Sequence, residues 1–229
     1  MIEAFKRLKW YEFTLWITSV ILITAVFIIF KNREILTLIA SLVGVTALIF
    51  VAKGDVLGQI LTVVFAIIYG VVSYKFRYYG EIITYLGMTG PIALMSVITW
   101  LRNPFKKGEV KVRHMTGKLW LLTGGLTVIV TVIFYFILRA LDTPNIVPST
   151  ISIATSFVAS FLTMLRSSYY GIGYAANDIV LIVLWVLATR EDFNYMPMVI
   201  CFTLFLINDT YGFFNWQRIK NSQEKKREM

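Results

Sequence analysis

Ile207-Asn208-Asp209-Thr210-Tyr211-Gly212-Phe213-Phe214-Asn215-Trp216-Gln217-Arg218 closes an apolar run that begins at Met196. It reads as the cytosolic half of a membrane-spanning helix. At helical spacing Asn208, Tyr211 or Gly212, and Asn215 share one face. That face is polar and aromatic, where a helix facing lipid is neither. The closing Trp216-x-Arg218 repeats Trp100-x-Arg102, displaced by 116 residues. A helix present in two copies of such unequal polarity suggests a duplicated transporter whose site is built mostly from one copy.

The rest of the composition agrees with a membrane protein. The 229 residues are 58% apolar and 15% charged, with a mean hydropathy of +0.72, against roughly 25% charged residues in soluble domains. One cysteine, Cys201, excludes an internal disulfide and a multi-Cys metal site. The single histidine, His114, falls in a basic loop and reads as a surface residue. A net charge of +9 raises nucleic acid as a partner, but the basic residues sit between apolar runs and read as topology signals instead.

Eight runs have the length that crosses ~30 Å of hydrocarbon: 13–30, 35–52, 56–74, 82–101, 119–138, 146–165, 172–189 and 196–216. No small-residue cleavage site follows the first, which is therefore expected to stay as a helix. With the amino terminus inside, 16 of the 22 Lys and Arg residues fall in cytosolic segments and 6 outside, among them Lys31, Arg33, Lys75 and Arg77. The positive-inside rule thus places both termini in the cytosol, with the protein multi-pass in the cell (inner) membrane.

Two further matches accompany the Trp-x-Arg pair: Ile39-Ala40-Ser41 with Ile153-Ala154-Thr155 at 114, and Gly58 with Gly173 at 115. They suggest a first three-helix repeat at 35–102 and a second at 146–218. A basic loop and linker helix (103–145) separates them, and a basic tail (219–229) follows. Keeping two three-helix units parallel needs an odd number of helices between them, and one is present. SWEET sugar transporters use this parallel plan. The first helix, in 1–34, stands outside this 3+1+3 core and reads as peripheral.

Within the predicted spans the acidic residues are Asp178 and Asp209, each after an asparagine. Both lie ~10 Å inside the cytosolic boundary of antiparallel helices, so they can meet at one level. They read either as ties between helices or as coupling groups, with Asn177 and Asn208 as hydrogen-bonding groups for a polyhydroxylated ligand. Trp185 shares a face with Asn177 and Leu181 and is a candidate stacking plate for a flat, cationic ring. Trp100, Trp120 and Trp216 lie near span ends and read as interfacial anchors, Trp216 gaining weight from Phe213 and Asn215. In the first copy Gln59, Thr62, Ala66, Gly70 and Ser73 form a small or polar stripe. Tyr69 and Tyr85 add hydroxyls, and Gly87, Gly90 and Pro91 interrupt the fourth helix. No phosphate-cradling loop, zinc-protease motif or nucleophile elbow is present. An enzyme is not expected, nor is any metal or cofactor.

Tyr170-Gly171-Ile172-Gly173-Tyr174-Ala175-Ala176-Asn177-Asp178 running into Trp185 resembles the PnuC-type vitamin transporters. So do Asn208-Asp209, Gly212-Phe213 and Asn215-Trp216-x-Arg218. The resemblance covers roughly 35–218. It implies an all-α, SWEET-like 3+1+3 bundle with parallel repeats and an extra N-terminal helix. It also implies facilitated diffusion by alternating access, and trapping of the vitamin by a cytosolic kinase. The substrate implied first is nicotinamide riboside, with thiamine or riboflavin as alternatives. Trp185 or Phe213 would stack on its ring, while Gln59, Asn177, Asn208 and Asn215 would bind the carboxamide and hydroxyls. The rivals are a membrane scaffold and the substrate-binding subunit of an ATP-driven complex. Proton coupling through Asp178 or Asp209 and a homo-oligomeric state stay open.

Overall fold

The structure is a computed structural model describing residues 2–30, 35–75, 79–143 and 145–228. The charges counted at Lys31, Arg33 and Arg77, and the Lys75 side chain, lie outside what it describes. Eight helices long and apolar enough to cross a membrane are present among the described residues. They are α1 (Trp10–Ile29), α2 (Ile35–Ala52), α3 (Val56–Lys75), the composite α4, α5 (Gly117–Ala140), α6 (Ile146–Met164), α7 (Tyr170–Glu191) and α8 (Met196–Glu228). The parts of α4 are Tyr79–Thr84, a π-helical turn Tyr85–Thr89, and Gly90–Leu101. Pro91 enters at the start of the last part, and the Gly90 N–H reaches back to the Tyr85 carbonyl. The interruption expected from Gly87, Gly90 and Pro91 is thus a π-bulge.

The last helix does not end at Trp216 but continues to Glu228. Its extension is held by Gln223, 3% exposed. The Gln223 Nε2 donates to the Val110 carbonyl at 2.9 Å and to Glu109 at 3.0 Å, and its Oε1 accepts from the Val112 N–H at 2.9 Å. Glu109 and Val110 belong to a β-hairpin that the charge reading missed, β1 (Pro104–Lys106) and β2 (Glu109–Val110), which turns at Gly108 (φ +75°), and Val112 follows it. The hairpin and the carboxyl end therefore lie on one face of the bundle.

Duplication is written into the hydrogen bonds. After α2, Gly54 N–H donates to Val51 O and Asp55 N–H to Phe50 O; after α6, Arg166 N–H donates to Thr163 O and Ser167 N–H to Leu162 O. Gly54 and Arg166 both take left-handed conformations, φ +70° and +57°. Asp55 Oδ1 accepts from the Leu57 N–H, and Ser167 Oγ from the Tyr169 N–H. Each pair is displaced by 112 residues, and burial along α2 and α6 follows the same displacement. Gly58 therefore stands opposite Tyr170 rather than Gly173, and Ile39-Ala40-Ser41 opposite Ile151-Ser152-Ile153. Small residues recur on every turn of such helices, so the matches at 114 and 115 slipped by two or three positions. The displacement has already reached 116 at the ends of α3 and α7, Lys75 and Glu191, and stays there at the Trp-x-Arg endings.

The two units grip each other reciprocally. Trp100 Nε1 donates to the Thr163 carbonyl at 3.0 Å and Thr99 Oγ1 to that of Met164 at 3.2 Å. In the other direction, Trp216 Nε1 donates to the Val51 carbonyl and Asn215 Nδ2 to that of Ala52, both at 2.8 Å. Each pair holds the carbonyl end of the other unit's first helix: the hydroxyl and amide reach the last carbonyls, of Met164 and Ala52, and the indoles add a second donor to the carbonyls that already close the turns. The two indoles meet with centroids 5.4 Å apart, and both are 0% exposed. Trp100 and Trp216 are therefore not interfacial anchors, although half-exposed Trp120 fits that description. A Trp near a span end satisfies the same sequence pattern whether it faces headgroups or a helix terminus.

The first helix is less peripheral than expected. Its Glu12, 0% exposed, accepts from Lys53 Nζ (2.9 Å), the Tyr211 hydroxyl (2.7 Å) and the Lys9 N–H (2.7 Å), joining α1 to the α2–α3 turn and to α8. Glu12→Ala is expected to cost about 2–3 kcal/mol, less than a fully buried pair, because Lys53 keeps some solvent. An unchanged melting temperature in detergent would contradict this tie.

Candidate functional site

A narrow cavity of about 70 Å³ lies where α2, α3, α4, α6, α7 and α8 converge. From α3 it receives Gln59, Thr62 and Phe65, and from α4 Tyr85 and Thr89, the two ends of the π-helical turn. Bulges of this kind occur often at functional sites because they turn side chains out of helical register. Ser156 enters from α6. Tyr174, Asn177, Asp178 and Leu181 enter from α7, and Phe202, Phe205 and Asp209 from α8.

Several of these polar groups lack partners among the described residues. The Gln59 side chain, in a residue 3% exposed, makes no hydrogen bond within the described residues. Asn177 accepts from Thr155 Oγ1 at 2.9 Å and, at 3.5 Å, from Ser152 Oγ, with no acceptor for its amide hydrogens. Thr89 Oγ1 is buried without a partner. Asp178 and Asp209 present their carboxyls together, near enough for one to hydrogen-bond the other when it carries a proton. Beyond that contact Asp178 Oδ2 is unpartnered. Buried polar groups are nearly always satisfied, so orphans gathered around one cavity point to a ligand that completes them.

Of the residues singled out in the sequence, the cavity gathers Gln59, Thr62, Tyr85, Asn177, Asp178, Leu181 and Asp209. The others lie elsewhere. Asn208 donates to Ser19 Oγ of α1 at 3.1 Å and to the Leu204 carbonyl at 2.8 Å, outside the cavity. Asn215 and Trp216 hold the end of α2. Phe213 is half-buried, and its backbone packs against Gly171, where an added Cβ would come within 2.7 Å of the Phe213 nitrogen. Trp185 lies one turn beyond Leu181, against Tyr195 (5.6 Å) and Phe202 (6.5 Å). Consecutive residues on a helix diverge by 100°, so Asp209 faces the cavity while Asn208 faces α1. Asn208→Leu should therefore lower thermal stability without weakening ligand affinity; the opposite pattern would return Asn208 to the site.

Reading the sequence through Asn208 missed Phe65, Thr89, Ser156, Tyr174, Phe202 and Phe205. A usable signal existed for some of them. Phe202, Phe205 and Asp209 share a helical stripe at i, i+3, i+7, and Tyr174, Asn177, Asp178 and Leu181 share one at i, i+3, i+4, i+7. Thr89 is displaced by the π-helical turn and carries no such signal.

A mostly apolar cavity with a few convergent polar groups, set between two parallel three-helix units in a membrane bundle, defines a carrier of small molecules. A family model described as "nicotinamide mononucleotide transporter" matches residues 34–218, and the chain belongs to that family. It is 25% identical over 217 residues to a nicotinamide riboside transporter PnuC of Neisseria mucosa, covering 92% of this chain and 82% of that one. A protein of the same description from Haemophilus influenzae is 21% identical over 187 residues, covering 80% of each. The crystal structure of the vitamin B3 transporter PnuC shares the fold, with a TM-score of 0.82, 94% of each chain covered and 23% identity.

Proposed function

We propose that this protein carries nicotinamide riboside across the cell membrane by uniport, through alternating access of the central cavity. The observation that carries the reading is the set of unpartnered groups on Gln59, Thr89, Asn177 and Asp178 around one cavity. A carboxamide and a ribose offer the donors and acceptors these groups lack. Phe65, Phe202 and Phe205 supply aromatic walls for the pyridinium ring, and Asp178 and Asp209 supply attraction for its positive charge.

The family description names a mononucleotide, whereas both relatives are described as riboside transporters. The lining favours the riboside. None of the lining residues is Lys or Arg, so a phosphate would enter beside two carboxyls with no cation to meet it. The cavity is also smaller than the ~300 Å³ at the low end of ligand sites, so the two units must separate locally to admit a substrate. The mostly basic face bearing both termini is then cytosolic, and a cytosolic kinase that phosphorylates the riboside would prevent its return.

Purified protein in liposomes should take up nicotinamide riboside without ATP, at a rate unchanged when the proton gradient is abolished. A strict need for either would overturn uniport. Thermal stability should rise with nicotinamide riboside and not with the mononucleotide. A larger shift with thiamine or riboflavin would reassign the substrate.

A further inference from the structure

Away from the cavity, Arg166 in the turn between α6 and α7 meets Arg113 in the segment that leads into α5. Arg166 stands where the first unit has Gly54, and it keeps the left-handed conformation (φ +57°) that favours glycine. An arginine retained at a costly backbone position has some use for its side chain. The guanidinium is fixed rather than free. The Arg166 carbonyl accepts from the Arg113 N–H at 3.0 Å, and its Nη1 donates to the Lys111 carbonyl at 3.2 Å. Nε, which is buried, and Nη2 have no acceptor among the described residues. Neither Arg166 nor Arg113 has a carboxylate partner there. Partial burial, and then the positive charge of Arg113, hold the Arg166 guanidinium below the usual arginine value.

Two like charges brought together without a counter-charge leave a site for an anion. Its surroundings indicate which kind. Tyr169, three residues on, meets Trp120 at 5.5 Å, and both rings are partly exposed (37% and 43%). Leu121 beside them is 80% exposed at the start of an apolar span. Amphipathic rings at the mouth of a lipid-facing helix mark headgroup level, and basic pockets at that level bind anionic headgroups.

We infer that Arg113 and Arg166 form a phosphate site occupied by the headgroup of an anionic phospholipid, whose glycerol region rests on Trp120 and Tyr169. The site is separate from the substrate cavity and does not depend on which substrate that cavity takes.

The test is the melting temperature of the full-length protein in detergent micelles containing phosphatidylglycerol or phosphatidylcholine, or with inorganic phosphate added instead. Phosphatidylglycerol should stabilise the protein and phosphatidylcholine should not. Arg113→Gln, which alters only an exposed side chain and should fold, is expected to weaken the apparent lipid affinity about fivefold, the equivalent of ~1 kcal/mol. Arg166→Lys should weaken it too. Lys225→Gln, which removes the same charge from an exposed position on the same face, should leave the lipid response unchanged. Equal responses in wild type, R113Q and K225Q would overturn the site. Inorganic phosphate reproducing the full shift would overturn the lipid as its source.

Discussion

Asn177→Leu is expected to weaken nicotinamide riboside binding by at least tenfold while leaving the protein folded. The leucine fills a similar volume but offers the cavity no amide hydrogens, and a ligand group left unpaired there costs about 1–3 kcal/mol. Folding tolerates the change because the main protein partner of Asn177 has alternatives. Thr155 Oγ1 also lies within hydrogen-bonding distance of the Ile151 and Ser152 carbonyls, at 3.0 and 3.1 Å. Isothermal titration of the purified variant, with its melting temperature measured alongside, separates the two effects. Affinity preserved in N177L would remove α7 from the site. A collapse in stability would make Asn177 a structural residue like Asn208.

The second large effect is expected at the reciprocal grip. Trp100→Ala and Trp216→Ala should each cost about 3–5 kcal/mol, since each removes a fully buried ring and leaves a cavity between the two units. Phe at either position should cost only about 1–2 kcal/mol, the worth of the lost indole hydrogen bond. Because the two rings touch, the double variant should lose less than the sum of the single ones. Melting temperatures of the four single variants and the double alanine variant would show this. Strict additivity, or a large effect at one tryptophan and none at the other, would contradict a symmetric contact between the units.

The span pattern was legible because each helix reports its own length and hydropathy, and the positions of the breaks needed no knowledge of contacts. The relation between the units was legible in outline from Trp100-x-Arg102 and Trp216-x-Arg218. Its register was not. Gly58 and Gly173 look equivalent as letters, and only the hydrogen bonds of the 53–57 and 165–169 turns show that they are not. At the site, sequence placed Asp178 and Asp209 at one depth, and the fold brings them together. Helical phase separates them from Asn208, which shares the polarity of Asp209 but points 100° away. Trp185 has the chemistry of a stacking plate and a face in common with Asn177, yet one extra turn takes it out of the cavity. The docking of Gln223 on the hairpin was invisible because its partners lie more than 100 residues away.

The most direct test of the cavity as the substrate site is equilibrium binding of nicotinamide riboside to purified wild-type protein and to Gln59→Ala. The Gln59 side chain has no hydrogen-bond partner among the described residues, so its loss should leave the ligand-free melting temperature nearly unchanged. The account predicts saturable binding to the wild type and at least about tenfold weaker binding to the variant. Equal affinity for both proteins would contradict it.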